Sequence, residues 1–366
     1  MVVKNAFDKG LAADIVRGAW RELEDQGIME HDPETWKKGP YTRTGGPPNV
    51  SIMAGRGDKA AQAEMAAVRE KYGLPENPHM LHEAAPRALG AQLDVVGGWD
   101  RVADPENVRL PDGLAVNLCT EQDLGEEGWR SVNAPGWHKV RLIPIRMIQE
   151  AALTEPCVGQ DGWHYQHFLD SPQQGLLLMF FYDDILPESG GTQICVDSVG
   201  ETARLLAQHP EGLHPDSVFS YISPHMKREC SEFTELTGEA GDLAIIHPYM
   251  AHRQAANPSG RARFAQFPSL VLAEPMIFDR EDPSDYSLAE LVVLKELGVD
   301  RFPFATREDW LKYPREDITP PPSRTEEEQL EAARALYVEQ QRMAQREPAW
   351  AQEMWTKREN PDHPKL

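Results

Sequence analysis

The chain predicts an α+β fold with a mainly β core, in which a closed or sandwiched antiparallel structure is flanked by N- and C-terminal helices. Three observations carry this. Between about residues 112 and 276, short apolar runs of strand length are separated by Gly, Pro and Asp clusters, the rhythm of antiparallel sheets joined by turns. Before and after that stretch, apolar residues recur at helical spacing. The length of 366 residues, with 40% hydrophobic and 26% charged content, is enough to bury a full core and excludes wholesale disorder.

In chain order, residues 5–26 come first, with Leu11, Ile15, Ala19 and Leu23 along one helical face. Asp32-Pro33 and the stretch 39–48 (GPYTRTGGPP) break the chain into loop. Helical spacing returns at about 58–72 and 83–96, and Gly97-Gly98 ends the second of these. The expected strands are Leu114–Leu118, Val140–Ile145, Leu176–Tyr182, Thr192–Val196, Asp242–His247 and Phe264–Leu272. LLLMFFY (176–182) is apolar at every position, as a strand covered on both faces would be. Residues 201–209 (ETARLLAQH) interrupt the strands as a short helix. Two further helices follow, Ser287–Leu297 and Glu326 to about Arg346, the latter opened by a capping box from Thr325 to Glu328. With no internal repeat, the chain is expected to be one domain over 1–366. It has a mainly helical layer over 1–110, a β core over 111–276 and a helical region over 277–366.

Charge narrows the partners. With 37 Lys+Arg against 59 Asp+Glu the formal charge is −22, a field that repels phosphate backbones and anionic membranes. Nucleic acid and membrane are therefore not expected partners, and a small molecule is. Cys119, Cys157, Cys195 and Cys230 are widely spread with no CxxC pair, so neither a zinc cluster nor a disulfide framework is expected. The segment MVVKNAFDKG lacks the apolar core of a signal peptide, and the longest apolar run, Leu176–Tyr182, is far below the ~20 residues of a membrane helix. The expectation is a cytoplasmic protein. Its oligomeric state is not legible.

Two stretches hold the candidate chemistry. In 241–267 (GDLAIIHPYMAHRQAANPSGRARFAQF), a strand leads to His247, His252 follows, and Asn257-Pro258-Ser259-Gly260 is a turn before Arg263. Read as a hairpin, this brings His252, Gln254 and Arg263 together on two adjacent strands. A neutral imidazole beside a guanidinium suits a metal chelated by an oxo-acid, with the Arg fork on the acid's distal carboxylate. A surface His and a surface Arg are the plainer alternative. The stretch 157–199 crowds Asp161, His164, Gln166, His167 and Asp170 together. Non-haem Fe(II) oxygenases need two His and one carboxylate on one face. H-x-D is the natural local donor in extended chain, and none occurs here. Packing and rim roles compete with ligation at these residues.

At these residues the chain resembles the phytanoyl-CoA dioxygenase family of Fe(II)/2-oxoglutarate oxygenases, and a fungal and bacterial branch with the pattern W-H-x-D-G-D-x-F-x-H-F-L-D-S-P. HFLDSP is intact at 167–172, DDILPESGGTQICVDSV (183–199) is similar to the turn and strand that follow, and LAQHPEG (206–212) continues it. GDLAIIHPYMAH (241–252) looks like the strand of the distal iron His, and Arg263 stands like the family's 2-oxoglutarate Arg. GAQLDVVGGWDRV (90–102) and DGLAVNLC (112–119) extend the likeness to roughly 85–276.

The resemblance implies a double-stranded β-helix of jelly-roll, cupin-like form with Fe(II) and 2-oxoglutarate as cofactors. It implies oxidation of a C–H bond of a small organic metabolite, by hydroxylation or a related outcome. The departure lies in the iron motif. Aligned on HFLDSP without gaps, Gly159-Gln160-Asp161-Gly162 falls where the family has H-x-D-G. Aligned instead on Trp163-His164, with a deletion of several residues, the His is kept and Gln166 stands in place of the Asp. The ungapped register is preferred because Asp161-Gly162 then matches as well. Asp161 is then the carboxylate, and His164 is the residue that could complete the set with His252. Arg263 would hold the co-substrate, with Gln254 and Thr192 lining it by position. The alternative is a family member with a degenerate iron motif, acting as a non-oxidative enzyme or a small-molecule binding protein.

Overall fold

The computed structural model describes residues 1–38, 41–43, 79–111, 113–118, 167–172, 175–209, 230–255 and 257–303, with a few isolated positions besides. Over these residues the chain is a mixture of helices and two antiparallel sheets. The large sheet runs β1 (Val2–Val3), β7 (Leu243–Ile246), β4 (Leu176–Phe181), β9 (Arg263–Gln266), β3 (Ala115–Asn117) and β2 (Tyr41–Arg43), with β10 (Ser269–Leu270) also paired to β4. The small sheet runs β6 (Phe233–Leu236), β5 (Thr192–Cys195), β8 (Ala251–Gln254).

Strand β4 shows why its sequence is apolar throughout. Successive side chains of a strand point to opposite faces. Leu177, Met179 and Phe181 join Ala244, Ile246 and Ala265 of the large sheet in one buried cluster that also holds Ile194 and Leu236 of the small sheet. This cluster is the interior between the sheets. Leu176, Leu178 and Phe180 point the other way, into the cluster made with the helices.

The helices form where caps and apolar faces coincide. Helix α1 (Lys9–Asp25) begins at Asp8, whose side chain accepts from the N–H of Leu11 at 2.8 Å, satisfying an otherwise orphaned donor. Its buried face sets Trp20 edge-on to Phe264 at 5.2 Å between ring centroids, which seats the helix on the outer side of the large sheet. The short α2 (Leu81–Ala84) precedes α3 (Pro86–Val96), which has Pro at its first turn and ends at Gly97 in the left-handed conformation, as helix ends commonly do. Helix α4 (Val199–Ala207) packs against α5 (Leu288–Leu297), whose start carries a full capping box of Ser287 and Glu290. Glu290 is buried and also bonds Arg280 at 2.8 Å.

Two expectations need correction. The stretch 264–272 is two strands, β9 and β10, because Pro268 between them has no N–H to continue a ladder. The mainly helical N-terminal layer also contributes two short strands, β1 and β2, to the large sheet. Most consequentially, the chain from β8 to β9 does not form a hairpin. The two strands belong to different sheets, and the turn between them is a corner. Asn257 holds that corner, donating to Asn117 O at 2.9 Å and Arg261 O at 2.6 Å while accepting from Ser259 Oγ at 2.6 Å. The expected strand Val140–Ile145, the helix from Glu326 and most of 58–72 lie outside the described residues.

Candidate metal and co-substrate site

His252 owes its direction to the small sheet's register. It lies directly opposite Ile194, and Gln254 lies opposite Thr192, so these four side chains share one face. Ile194 belongs to the cluster between the sheets, which makes this the inner face. His252 is 5% exposed, and its Nδ1 lies 3.1 Å from Met250 O. A carbonyl oxygen can only accept, so this bond places a proton on Nδ1 and makes Nε2 the nitrogen that a metal would take.

Arg263 approaches the same interior from the large sheet. It is opposite Asn117, and two residues on Ala265 is opposite Ala115 and Phe181. Ala265 and Phe181 are in the inner cluster, and Arg263, two positions away, shares their face. At 1% exposure its Nε donates to Gly190 O at 2.8 Å and Nη1 to Ala115 O at 3.4 Å, with the Phe267 ring 5.6 Å from the guanidinium carbon. Imidazole and guanidinium thus enter one interior from facing sheets, not from neighbouring strands.

Two residues that the sequence reading passed over shape this region. Asn117 is fully buried and donates to Gly190 O at 3.1 Å and Ala255 O at 2.9 Å, while its Oδ1 has no hydrogen-bond partner among the described residues. A buried acceptor of this kind calls for a donor such as a water or a hydroxyl. Gly190 has φ +79°, and a Cβ there would lie 2.4 Å from Asn117 Nδ2; only glycine lets its carbonyl receive both Asn117 and Arg263. The signals were present, since Asn117 is the lone polar residue of an apolar run and Gly190 belongs to a Gly-Gly turn. Behind that turn, Glu235 accepts from the N–H groups of Glu188 at 2.8 Å and Gly191 at 3.1 Å. Burial pushes its carboxyl above the usual range, although those two bonds and Arg263 pull the other way.

Of the remaining candidates, Thr192 is buried and Gln254 is exposed at the end of β8. His247 is a strand-end residue: its Nδ1 accepts from Tyr249 N at 3.2 Å. Asp161 and His164 lie outside the described residues. The chain is described again from His167, where the HFLDSP segment is fastened by the Tyr249 hydroxyl, which donates to Leu169 O and, at 3.4 Å, to Phe168 O. His167 and Asp170 are buried. A cavity of about 420 Å³ opens between Asn5–Lys9 and Ala84–Arg87. It lies on the helix-covered side of the large sheet and is not the interior that His252 and Arg263 face.

No family model matches the chain, and no curated protein matches it significantly. Solved structures similar to it include the non-heme alpha ketoglutarate dependent carbocyclase SnoK from nogalamycin biosynthesis, at 12% identity and a TM-score of 0.31, covering 69% of this chain and 87% of that one. A putative oxidoreductase from Salmonella typhimurium LT2 is similar at 14% identity and a TM-score of 0.29, covering 84% and 85%. Likeness at this level does not define the fold. In donor chemistry, an imidazole and a guanidinium on the inner surfaces of the two sheets, with the Asn117 amide oxygen beside the guanidinium, fit a metal chelated by a small oxo-acid.

Proposed function

We propose that the chain is an Fe(II)/2-oxoglutarate-dependent oxygenase of the phytanoyl-CoA dioxygenase type, with a double-stranded β-helix core, oxidising a C–H bond of a small organic metabolite. The observation that supports this reading is that buried His252 and Arg263 both lie on the inner faces of the two sheets. When bound, the iron with its co-substrate supplies oxygen-driven C–H oxidation coupled to conversion of 2-oxoglutarate to succinate and CO₂. The chain's own residues position and shield. Met250 O orients His252 for ligation, and Gly190 O and Ala115 O aim the Arg263 fork at the distal carboxylate. Thr192 lines the co-substrate, with Gln254 at the solvent edge. The inner cluster keeps water away from the reacting atoms.

Asp161 supplies the carboxylate. For the second imidazole, His164 has a rival in His138. The tripeptide Gly136-Trp137-His138 recurs as Gly162-Trp163-His164, and His138-Lys139 followed directly by Asp161-Gly162 would read as an uninterrupted H-x-D-G. Residues 140–160 are what separates the halves. Iron stoichiometry after anaerobic loading separates the two ligand sets. Loss in His164→Ala supports His164; an unchanged His164→Ala with loss in His138→Ala, and tighter iron binding on deletion of 140–160, supports His138. Succinate release that depends on iron and oxygen tests the activity itself. A folded chain that binds iron with neither set and releases no succinate is instead the non-oxidative enzyme or binding protein.

A further inference from the structure

The sequence spacing of the cysteines argues against a metal cluster, yet the fold brings two of them together. Cys195 ends β5, Asp197 follows in the 3-10 turn Val196–Ser198, and Cys230 lies just before β6. Their two sulfurs and a carboxylate oxygen lie within 4.8 Å of one another. Cys195 is fully buried and Cys230 is 9% exposed. Cys195 Sγ is 3.1 Å from Asp197 Oδ1. The carboxylate is held by the N–H groups of Ser231 at 2.8 Å and Glu232 at 3.3 Å and by Ser231 Oγ at 3.5 Å, and Asp197 O lies 3.9 Å from Cys230 Sγ.

We propose that Cys195, Asp197 and Cys230 form a binding site for one thiophilic divalent cation of the zinc class, separate from the site of His252 and Arg263. Thiolate ligands select zinc over calcium or magnesium. With metal–sulfur distances of about 2.3 Å and metal–oxygen distances of about 2.0 Å, tetrahedral ligands sit roughly 3.5–3.8 Å apart, so a small outward shift of Asp197 Oδ1 admits the ion. The backbone bonds to the carboxylate are the outer support that metal ligands ordinarily have. Ser231 and Glu232, which hold the carboxylate, are exposed, so water from that side would be the fourth ligand. Cys195 points to the opposite side of β5 from Ile194, whose partner is His252. The ion would therefore tie β5 to the entry of β6 behind the sheet that carries His252. Uptake releases the two thiol protons to solvent, with no change of oxidation state.

The test is titration of the full chain, metal-free and kept reduced with a phosphine, with Co(II) as the probe. One equivalent should give a thiolate-to-cobalt charge-transfer band and the strong visible bands of a tetrahedral site, both abolished by Zn(II). His252→Ala should keep these bands and Cys230→Ser should lose them. Asp197→Asn, checked for native circular dichroism, should weaken Zn(II) binding at least about tenfold; it also decides the matter if Cys230→Ser fails to fold. Absence of the charge-transfer band in folded wild type overturns the site. So does its persistence in Cys230→Ser, or unchanged Zn(II) affinity in Asp197→Asn.

Discussion

The Arg263 guanidinium is held at 1% exposure between two sheets, where every bond to it counts. Arg263 has backbone carbonyls at Gly190 and Ala115 and an aromatic ring at Phe267, and an anionic co-substrate would add a charge-assisted, two-pronged pair. Lys keeps the charge but loses the fork. Arg263→Lys is expected to raise KM for 2-oxoglutarate at least about tenfold, with a smaller change in kcat, in steady-state succinate assays; an unchanged KM removes Arg263 from that role. Asp242 makes a pH prediction. Burial pushes its carboxyl up, but the Lys4 ammonium and the N–H groups of Glu239 and Asn5 outweigh this and leave it below the usual range. Its folded value is therefore below its unfolded one, so it stabilises above about pH 3.9 and this contribution fades as pH falls through the folded value. Asp242→Asn should cost about 1–3 kcal/mol at neutral pH and show a flatter acid limb in urea unfolding. An equal loss at pH 7 and pH 2 contradicts it. At the residue scale His252 and Arg263 were legible as candidates from their neighbours in sequence, whereas Asn117 matters because of what lies across the strand from it.

Among elements, those with local punctuation were readable. Asp8, Gly97 and Ser287 mark the ends of α1, α3 and α5 through their own side chains or their freedom of φ, information that lies within a few residues of sequence. Strand β6 (FTEL) was not readable as a run, and β8 (AHRQ) only through the supposed hairpin, because their polar residues are consecutive and leave neither an apolar run nor a period-2 alternation. The corner at Asn257–Gly260 was misread for a related reason. A turn motif specifies a reversal of the chain but not which strand receives it, and here β9 pairs with β3 and β4. At the element scale, the turn at Gly190 holds Asn117 and Arg263 through its carbonyl. Gly190→Ala forces a Cβ at positive φ against Asn117 and should cost about 1–3 kcal/mol. A thermal melt and the KM for 2-oxoglutarate should worsen together, since Arg263 loses its acceptor's position. Unchanged KM would show that the turn does not aim Arg263.

For the whole molecule, the decisive arrangement is a pair of sheets sharing one apolar interior, with α1 over the outer side of the large sheet and β5 and β8 lining the other wall. None of this pairing follows from composition or from the charge of −22, which bears on partners and not on fold. Among the described residues no helix is long and apolar enough to cross a membrane. The central claim is that His252 and Arg263 act on one bound group from opposite walls. Anaerobic titration of the full chain with Fe(II) and then 2-oxoglutarate tests it most directly, through the visible metal-to-ligand charge-transfer band of the chelate. The band is expected in the wild type, absent in His252→Ala, and shifted to at least about tenfold higher 2-oxoglutarate in Arg263→Lys. A folded wild-type chain with no band, or a band untouched by His252→Ala, would contradict the account.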